Sequence, residues 1–287
     1  MSTIEMKPTL SVIIPTCNRN DLLGKCLERL QYDLQQLSAD DYEIIVTDDG
    51  KDSNAKTFIE QYFPFVQWVE GPKKGPASNR NNGAKYAKGE WLIFLDDDCL
   101  PAIDILRQYS SLIERNPSIE VWEGKIEPEG KSKSPIEYAP INTEGGHLWS
   151  CNFAIEKKKF DSIGGFDENF KYPHMEDVDL RERLKVDGVN IQFAATASVT
   201  HPWRKLDDGK KLGRYQEMYV YYYIKHKKPL SFLKLSRSII SVHLSLLRKS
   251  IFSKDSFLAI KIFVEHWGVV ILNYNKWKSN YVGKSKS

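Results

Sequence analysis

Apolar residues along the first hundred or so positions fall into two alternating patterns. Residues 9–16, TLSVIIPT, form a β-branched and nearly continuous apolar run, as a strand buried on both faces requires. The next segment places Leu23, Leu27, Leu30, Leu34 and Leu37 at the spacing of one helical face. The alternation then repeats, with a strand at 42–47 that stops at Asp48-Asp49-Gly50, a helix over 53–62 and a strand at 66–71. WLIFL at 91–95 follows and runs into Asp96-Asp97-Asp98. Strands separated by crossovers of helix length predict an α/β fold with a mostly parallel, doubly wound, Rossmann-like sheet covered on both faces.

Between Gly124 and Gly146 the periodicity vanishes, and KIEPEGKSKSPIEYAPINTEGG is rich in Pro, Gly, Ser and charge. This predicts a long surface loop suited to covering a substrate. Beyond it come a helix starting near Glu176 and a strand pair at VNIQFAA and SVTH. From about Leu212 onward the spacing is helical, with a Tyr-rich segment followed by apolar stretches at 230–247 and 257–272. Lys234, Arg237 and His243 interrupt the first stretch, and Lys261, Glu265 and His266 the second, so neither reads as a membrane span.

Charge separates the two regions. The chain carries +3 overall, yet residues 225–287 hold 13 Lys and Arg against Asp255 and Glu265, a charge of +11, which leaves −8 on residues 1–224. An acidic body is joined to a tail attracted to something anionic. Basic residues beside Phe232, Leu233, Leu235, Ile239, Ile240 and Leu244 suit an interfacial helix on an anionic membrane surface; packing on the body or on another subunit of an oligomer is the alternative. With 287 residues, 41% hydrophobic and 28% charged, the chain is neither a disordered segment nor a small stapled module. Cys17, Cys26, Cys99 and Cys151 show no zinc spacing and the N-terminus no signal pattern, which predicts a cytoplasmic setting, with the tail able to hold the chain on the inner face of the cell membrane.

In an open α/β sheet, ligands bind beyond the carboxyl ends of the strands. Three polar clusters occupy those positions: Pro15-Thr16-Cys17-Asn18-Arg19, Asp48-Asp49-Gly50 and Asp96-Asp97-Asp98. Three successive carboxylates repel one another unless a cation or hydrogen-bond donors compensate. Mg²⁺ or Mn²⁺ commonly takes one or two carboxylates and leaves positions for phosphate oxygens, so a metal-bridged diphosphate is the natural ligand. GPKKGPASNRNNGAKYA adds Gly75 and Arg80 before a helix, while the GxxxxGK[ST] and GxGxxG phosphate motifs are missing.

In order along residues 9–203, SVIIPTCNR, VTDDG, GPASNRNNGAKYAKGEWLIFLDDD, GGFDENF and EDVDLRERL resemble the motifs of the family 2 glycosyltransferases. The resemblance implies a GT-A nucleotide-diphosphosugar transferase fold over residues 1–210, with a nucleotide-sugar half at about 1–100 and an acceptor and base half at about 101–210. Residues 211–287 are then a basic, amphipathic helical extension. By position, Asp49 meets the nucleobase with Asp48 sharing the contact, Pro15, Thr16 and Arg19 border the nucleoside, and Arg80 supports the pocket. Asp96 faces the ribose, Asp98 is the principal metal ligand, Asp97 lies between them and His201 completes the metal site.

A sugar hydroxyl needs a base, and Glu176 and Asp177 are both candidates beside the helix-capping role of acids at a helix start; the resemblance favours Asp177 and leaves Asp179 secondary or structural. Gly145, Gly146, His147, Leu148 and Trp149 suit an acceptor entrance, with Gly146, His147 and Trp149 as the contacts. Trp68, Trp91, Trp122 and the tyrosines at 219 and 221–223 read as packing, and Lys157, Lys158 and Lys159 as a solvated turn. The expected activity is an inverting, metal-dependent hexosyl transfer from a nucleotide-diphosphate sugar to a glycan or lipid-linked glycan, as surface polysaccharide or lipopolysaccharide synthesis needs. A sugar-nucleotide pyrophosphorylase, and an adaptor using the basic tail on membrane or nucleic acid, are the alternatives; the acidic strand ends disfavour nucleic acid as a partner.

Overall fold

The computed structural model describes residues 9–251 and 253–282. Residues 1–8, read above for targeting, and Lys284 and Lys286 of the basic tail lie outside the described residues. The chain opens with β1 Leu10–Thr16, α1 Asn20–Glu28, α2 Tyr32–Gln35, β2 Tyr42–Asp48, α3 Ala55–Tyr62, β3 Val66–Glu70, α4 Pro76–Tyr86 and β4 Trp91–Leu95. It continues through β5 Leu100–Pro101, α5 Ile105–Arg115, β6 Val121–Pro128, β7 Glu137–Tyr138, β8 Asn152–Glu156, α6 Lys157–Ser162 and α7 Glu176–Val186. β9 Ile191–His201, β10 Arg204–Lys205, α8 Gly209–Lys225, α9 Phe232–Ser250 and α10 Ser256–Val282 complete it. Two compact units result: residues up to 129 with 140–171 and 176–202, and residues 130–139 and 172–175 with 203 onward.

The first unit is built on an eight-stranded sheet in the order β3-β2-β1-β4-β8-β6-β9-β5. β1 to β4 are parallel neighbours, as the alternating pattern requires, and every residue of β1 and β4 is buried. β8 then runs antiparallel to both β4 and β6, while β6 and β9 pair in parallel. Four of the seven ladders are parallel, so the mostly parallel sheet holds, with the antiparallel ones confined to its second half. Phe94 on β4 stacks on Phe153 of β8 at 4.8 Å between ring centroids, and Phe166 meets Phe94 edge-on at 5.4 Å. That aromatic cluster uses the geometry ring quadrupoles favour and fixes the loop carrying GGFDENF under the sheet.

Three local expectations change. VNIQFAA and SVTH belong to one eleven-residue strand, β9, which takes up the irregularity itself: Gly124 and Lys125 of β6 pair with Ala194 and Ser198, so residues 195–197 bulge out of the ladder. Lys157, Lys158 and Lys159 open α6 rather than a turn, and Lys159 pairs with Glu120 at 3.2 Å and Asp187 at 3.1 Å. The stretch expected at 257–272 is part of one uninterrupted helix, α10, of 27 residues, within which an 18-residue window has a mean hydropathy of 1.4, long and apolar enough by length and composition to cross a membrane.

The second unit contains the β7–β10 pair and α8, α9 and α10. Val220, Leu235, Ile239, Val270, Tyr274 and Trp277 form its core, with Tyr219 packed against it, so the Tyr-rich segment serves packing as expected. His243 Nε2 on α9 lies 3.0 Å from His266 Nδ1 on α10, and both rings are buried. Burial lowers both imidazoles, and the neighbouring His243 and His174 help push His266 down to about 4. In the unfolded chain His266 titrates near 6.5, so the unfolded state binds more protons between the two values and stability is lost as pH falls through that window. Going from pH 7 to pH 5 is expected to cost about 2 kcal/mol through His266 alone; melting curves should show the loss, and His266→Gln should shrink it.

Candidate active site

Thr16 at the end of β1 is in register with Asp48 at the end of β2, and β4 flanks β1 on its other side, so the three polar strand ends lie together. The three aspartates after β4 point to different partners. Asp96 accepts from Arg80 Nη2 at 2.7 Å. Asp97, with no exposed surface, accepts from the Thr16 hydroxyl at 2.7 Å and pairs with Arg19 Nη2 at 2.6 Å. Asp98 meets Arg19 Nη1 at 3.4 Å. Two guanidiniums and a hydroxyl therefore offset the repulsion among three consecutive acids.

The short β5 places Leu100 opposite Thr200, and that register sets Asp98 beside His201 at the end of β9. His201 Nε2 is 3.7 Å from Asp98 Oδ1, and Nδ1 is 2.8 Å from the Pro202 carbonyl oxygen. A carbonyl only accepts, so the ring proton sits on Nδ1 and Nε2 keeps its lone pair. Burial lowers the His201 pKa and favours that neutral ring. Donor atoms of Asp98, Cys99 and His201 lie within 4.8 Å of one another. A carboxylate oxygen and an imidazole nitrogen fit Mn²⁺ or Mg²⁺, whereas the thiol of Cys99, buried in the core, is a softer donor than those ions favour.

Arg80 comes from α4, a helix with polar residues on its inward side. Its guanidinium is buried, bonds Asp96 on one side and reaches Glu176 Oε1 at 3.2 Å on the other, and lies over the Phe166 ring at 5.7 Å. Glu176 and Asp177 open α7, where the helix dipole favours acids. Burial raises both carboxyls above the usual range, and for Glu176 the neighbouring Asp177 adds to it while Arg80 opposes it. Their surroundings differ: Glu176 is 4% exposed and held by Arg80, whereas Asp177 is partly exposed and accepts the Val178 N–H at 2.7 Å. Asp179 is fully buried in an ion pair with Arg183 at 2.8 Å, a structural position.

Asp49 accepts the backbone N–H groups of Lys73 at 2.8 Å and Gly75 at 3.0 Å, so it shapes the loop before α4. Gly75 has φ of 102°, and a Cβ there would sit 2.5 Å from the Lys171 carbonyl oxygen, so only glycine fits. Asp48 accepts the Gly50 N–H at 2.9 Å, and Pro15 is buried within β1. On the opposite side of the sheet, buried Glu123 of β6 accepts the backbone N–H groups of Gly146, His147 and Leu148, the last two at 2.9 Å and 2.8 Å. Gly145 and Gly146, with φ of 86° and 96°, let the chain wrap this carboxylate, and Arg181 bonds the Gly146 carbonyl. His147 is exposed and meets the half-buried Trp149 edge-on at 5.8 Å.

The family model described as glycosyl transferase family 2 matches residues 11–164, more than half of the chain. The chain belongs to glycosyl transferase family 2. A second model, described as the N-terminal domain of galactosyltransferase, matches residues 133–205, which include α7 and His201. The transferase is 31% identical over 190 residues to an uncharacterised glycosyltransferase of Haemophilus influenzae, covering 61% of each chain. It is 33% identical over 132 residues to the poly(ribitol-phosphate) beta-glucosyltransferase of Bacillus spizizenii, covering 44% of this chain and 20% of the relative. Over 100 residues, 32% of this chain and 30% of the relative, it is 38% identical to a GalNAc(5)-diNAcBac-PP-undecaprenol beta-1,3-glucosyltransferase of Campylobacter jejuni. The transferase thus spans less than two thirds of the length of these relatives.

Solved structures share the fold. S. aureus TarS 1–349 with UDP-GlcNAc aligns with a TM-score of 0.60 at 17% identity, covering 94% of this chain and 80% of TarS. The mannosyltransferase PcManGT of Pyrobaculum calidifontis with GDP-Man and Mn²⁺ aligns with a TM-score of 0.58 at 16% identity, covering 98% and 86%. The GT-A architecture expected from the motifs is therefore that of this chain.

Sequence reasoning missed Glu123, because a lone Glu in VWEGK reads as the solvent side of a strand, and the Gly145-Gly146 pair was the only signal of a carboxylate waiting to be wrapped. It also missed α4's asparagines: Asn79 bonds the Thr47 hydroxyl and carbonyl at 2.7 Å and 2.9 Å, and Asn81 exchanges bonds with the Phe166 backbone at 2.8 Å and 2.9 Å. Arg80→Leu leaves the buried Glu176 and the partly exposed Asp96 without their cation and is expected to cost about 3–5 kcal/mol in denaturant unfolding. Lys73→Leu breaks an exposed, solvent-screened pair with Glu70 and should leave the unfolding midpoint unchanged.

Proposed function

We propose that this transferase moves a sugar from a nucleoside-diphosphate donor to a hydroxyl of a glycan or lipid-linked glycan, with inversion at the anomeric carbon. One observation carries the reading: Arg80 bonds both Asp96 after β4 and Glu176 at the start of α7, so the acid assigned to the donor is tied to the residue next to the proposed base, Asp177. The donor class draws support from fold neighbours solved with UDP-GlcNAc and with GDP-Man and Mn²⁺. The acceptor class draws support from relatives named for poly(ribitol-phosphate) and for an undecaprenol-linked glycan. Surface polysaccharide assembly on the cytoplasmic side of a membrane is the setting such acceptors suit.

Thr16, Arg19, Asp48, Asp49 and Asp96 border the nucleoside side of the cleft, with Pro15 and Asp97 fixing the strand ends beneath them. Asp98 and His201 are the residues that would hold Mn²⁺ or Mg²⁺ in this metal-dependent reaction. A divalent ion bound there supplies Lewis-acid stabilisation of the charge on the departing diphosphate. Asp177, the partly exposed acid, takes the proton from the acceptor hydroxyl as that oxygen attacks C1. Its pKa, raised by burial, brings it nearer to that of a base matched to neutral pH. Glu176 stays behind it as the partner of Arg80. A single displacement forms no covalent sugar–enzyme intermediate, and the configuration at C1 inverts. Gly146, His147 and Trp149 border the acceptor side, where the His147 and Trp149 rings offer faces to a sugar.

Asp177→Asn is expected to lower transfer by about 10²–10⁴ while calorimetric donor binding with Mn²⁺ stays unchanged; undiminished turnover would reject Asp177 as the base. Asp98→Ala should instead weaken Mn²⁺-dependent nucleotide binding, and NMR of the product should show the anomeric configuration opposite to that of the donor.

A further inference from the structure

In the second unit, α9 and α10 carry apolar side chains that nothing in the described structure covers. On α9, Leu233, Leu244 and Ile251 just beyond its end are 58%, 48% and 65% exposed. On α10, Phe257, Val264 and Ile271 are 78%, 61% and 48% exposed. Steps of seven and eleven residues are about two and three helical turns, so each trio forms one stripe along its helix.

The two stripes face the same way. His243 meets His266 and Phe232 meets Tyr274, so the helices run antiparallel, with Phe232 and His243 of α9 turned toward Phe263, His266 and Tyr274 of α10. Each stripe lies roughly a quarter turn round its helix from that contact, at about 100° per residue. The angular sense of α9 is reversed relative to α10, so both quarter turns fall on one side of the pair. α10 gives another face to α8, where Gly209 lies against Ile262 and Gly213 against Val269.

The chemistry around the stripes selects the occupant. Arg237 and Arg248 border the α9 stripe, and Lys261 and Lys278 border that of α10; all four are exposed. Asp255 and Glu265 are the only acids in residues 225–287, against 13 Lys and Arg. A second copy of this chain would bring like charges face to face, which disfavours self-association. We propose that the α9–α10 hairpin is a docking surface for an anionic lipid bilayer, lying in the plane of the interface with its apolar stripes at the headgroup–acyl boundary and its cations on phosphate groups. α10 does not cross the bilayer in this arrangement, because His266, Tyr274 and Trp277 are committed to the core of the unit. The inference goes beyond the proposed transfer reaction and does not depend on it.

Flotation of the full chain with lipid vesicles tests it without any substrate. The protein is expected to float with vesicles of phosphatidylcholine and phosphatidylglycerol in equal parts, to stay behind with phosphatidylcholine alone, and to be released by salt. The double variant Leu244→Glu, Val264→Glu changes only exposed positions, so circular dichroism should match the parent while partitioning falls by about tenfold or more. Arg237→Gln with Arg248→Gln should weaken binding and flatten its salt dependence. Failure of the parent chain to float with the anionic vesicles, or a folded double variant that floats equally well, overturns the proposal. So does a parent dimer in light scattering that the double variant dissolves, which would make the face a contact between copies.

Discussion

A charged guanidinium placed where it is 4% exposed loses most of its hydration, and only fixed anions close by can offset that loss. Arg80 has two, the partly exposed Asp96 from the end of β4 and the buried Glu176 from the start of α7. Arginine suits the position because its planar fork bonds in two directions and stays charged at any working pH. The rest of the site follows from this arrangement. α4 delivers Arg80, so α4 must be fixed on its inward side by hydrogen bonds rather than by apolar packing. Asn79 ties it to β2 through Thr47, Asn81 and Ser78 tie it to the loop around Phe166 and Glu168, and the Phe166 ring lies beneath the guanidinium.

The same device recurs at β6 with the sign reversed. Glu123 is a buried anion whose charge is met by three consecutive backbone N–H groups of a Gly-Gly loop and by the Asn142 side chain. In both places the buried charges hold geometry, while the groups beside them stay accessible, Asp177 partly exposed and His147 exposed. Asp98 and His201, both buried, are brought together by the two-residue pairing of β5 with β9.

Local patterning made the first half of the sheet legible, since β1 and β4 are buried on both faces and their sequences are apolar almost throughout. The acidic clusters were legible for a related reason: polar residues directly after such runs must lie at strand ends. The insertion of β8 between β4 and β6 was not, because antiparallel pairing depends on which strands meet and not on what each contains. Nor was the length of α10, where Lys261 and Glu265 read as interruptions; in the folded unit they form an i,i+4 pair on a continuous helix. Choosing between Glu176 and Asp177 was also beyond reach from spacing, since adjacent residues at a helix start differ only in the direction each side chain takes. Arg80 makes that difference by drawing Glu176 inward.

The proposed reaction needs the acids after β4 and at the start of α7 to form one cluster around a nucleoside diphosphate and a divalent cation. Anomalous diffraction from crystals soaked with Mn²⁺ and UDP or GDP tests it most directly. The expected result is a single manganese peak bonded by Asp98 and His201, with diphosphate oxygens completing its shell and Arg80 still joining Asp96 to Glu176. A cleft that takes up neither metal nor nucleotide, or a manganese peak away from Asp98 and His201, would contradict it.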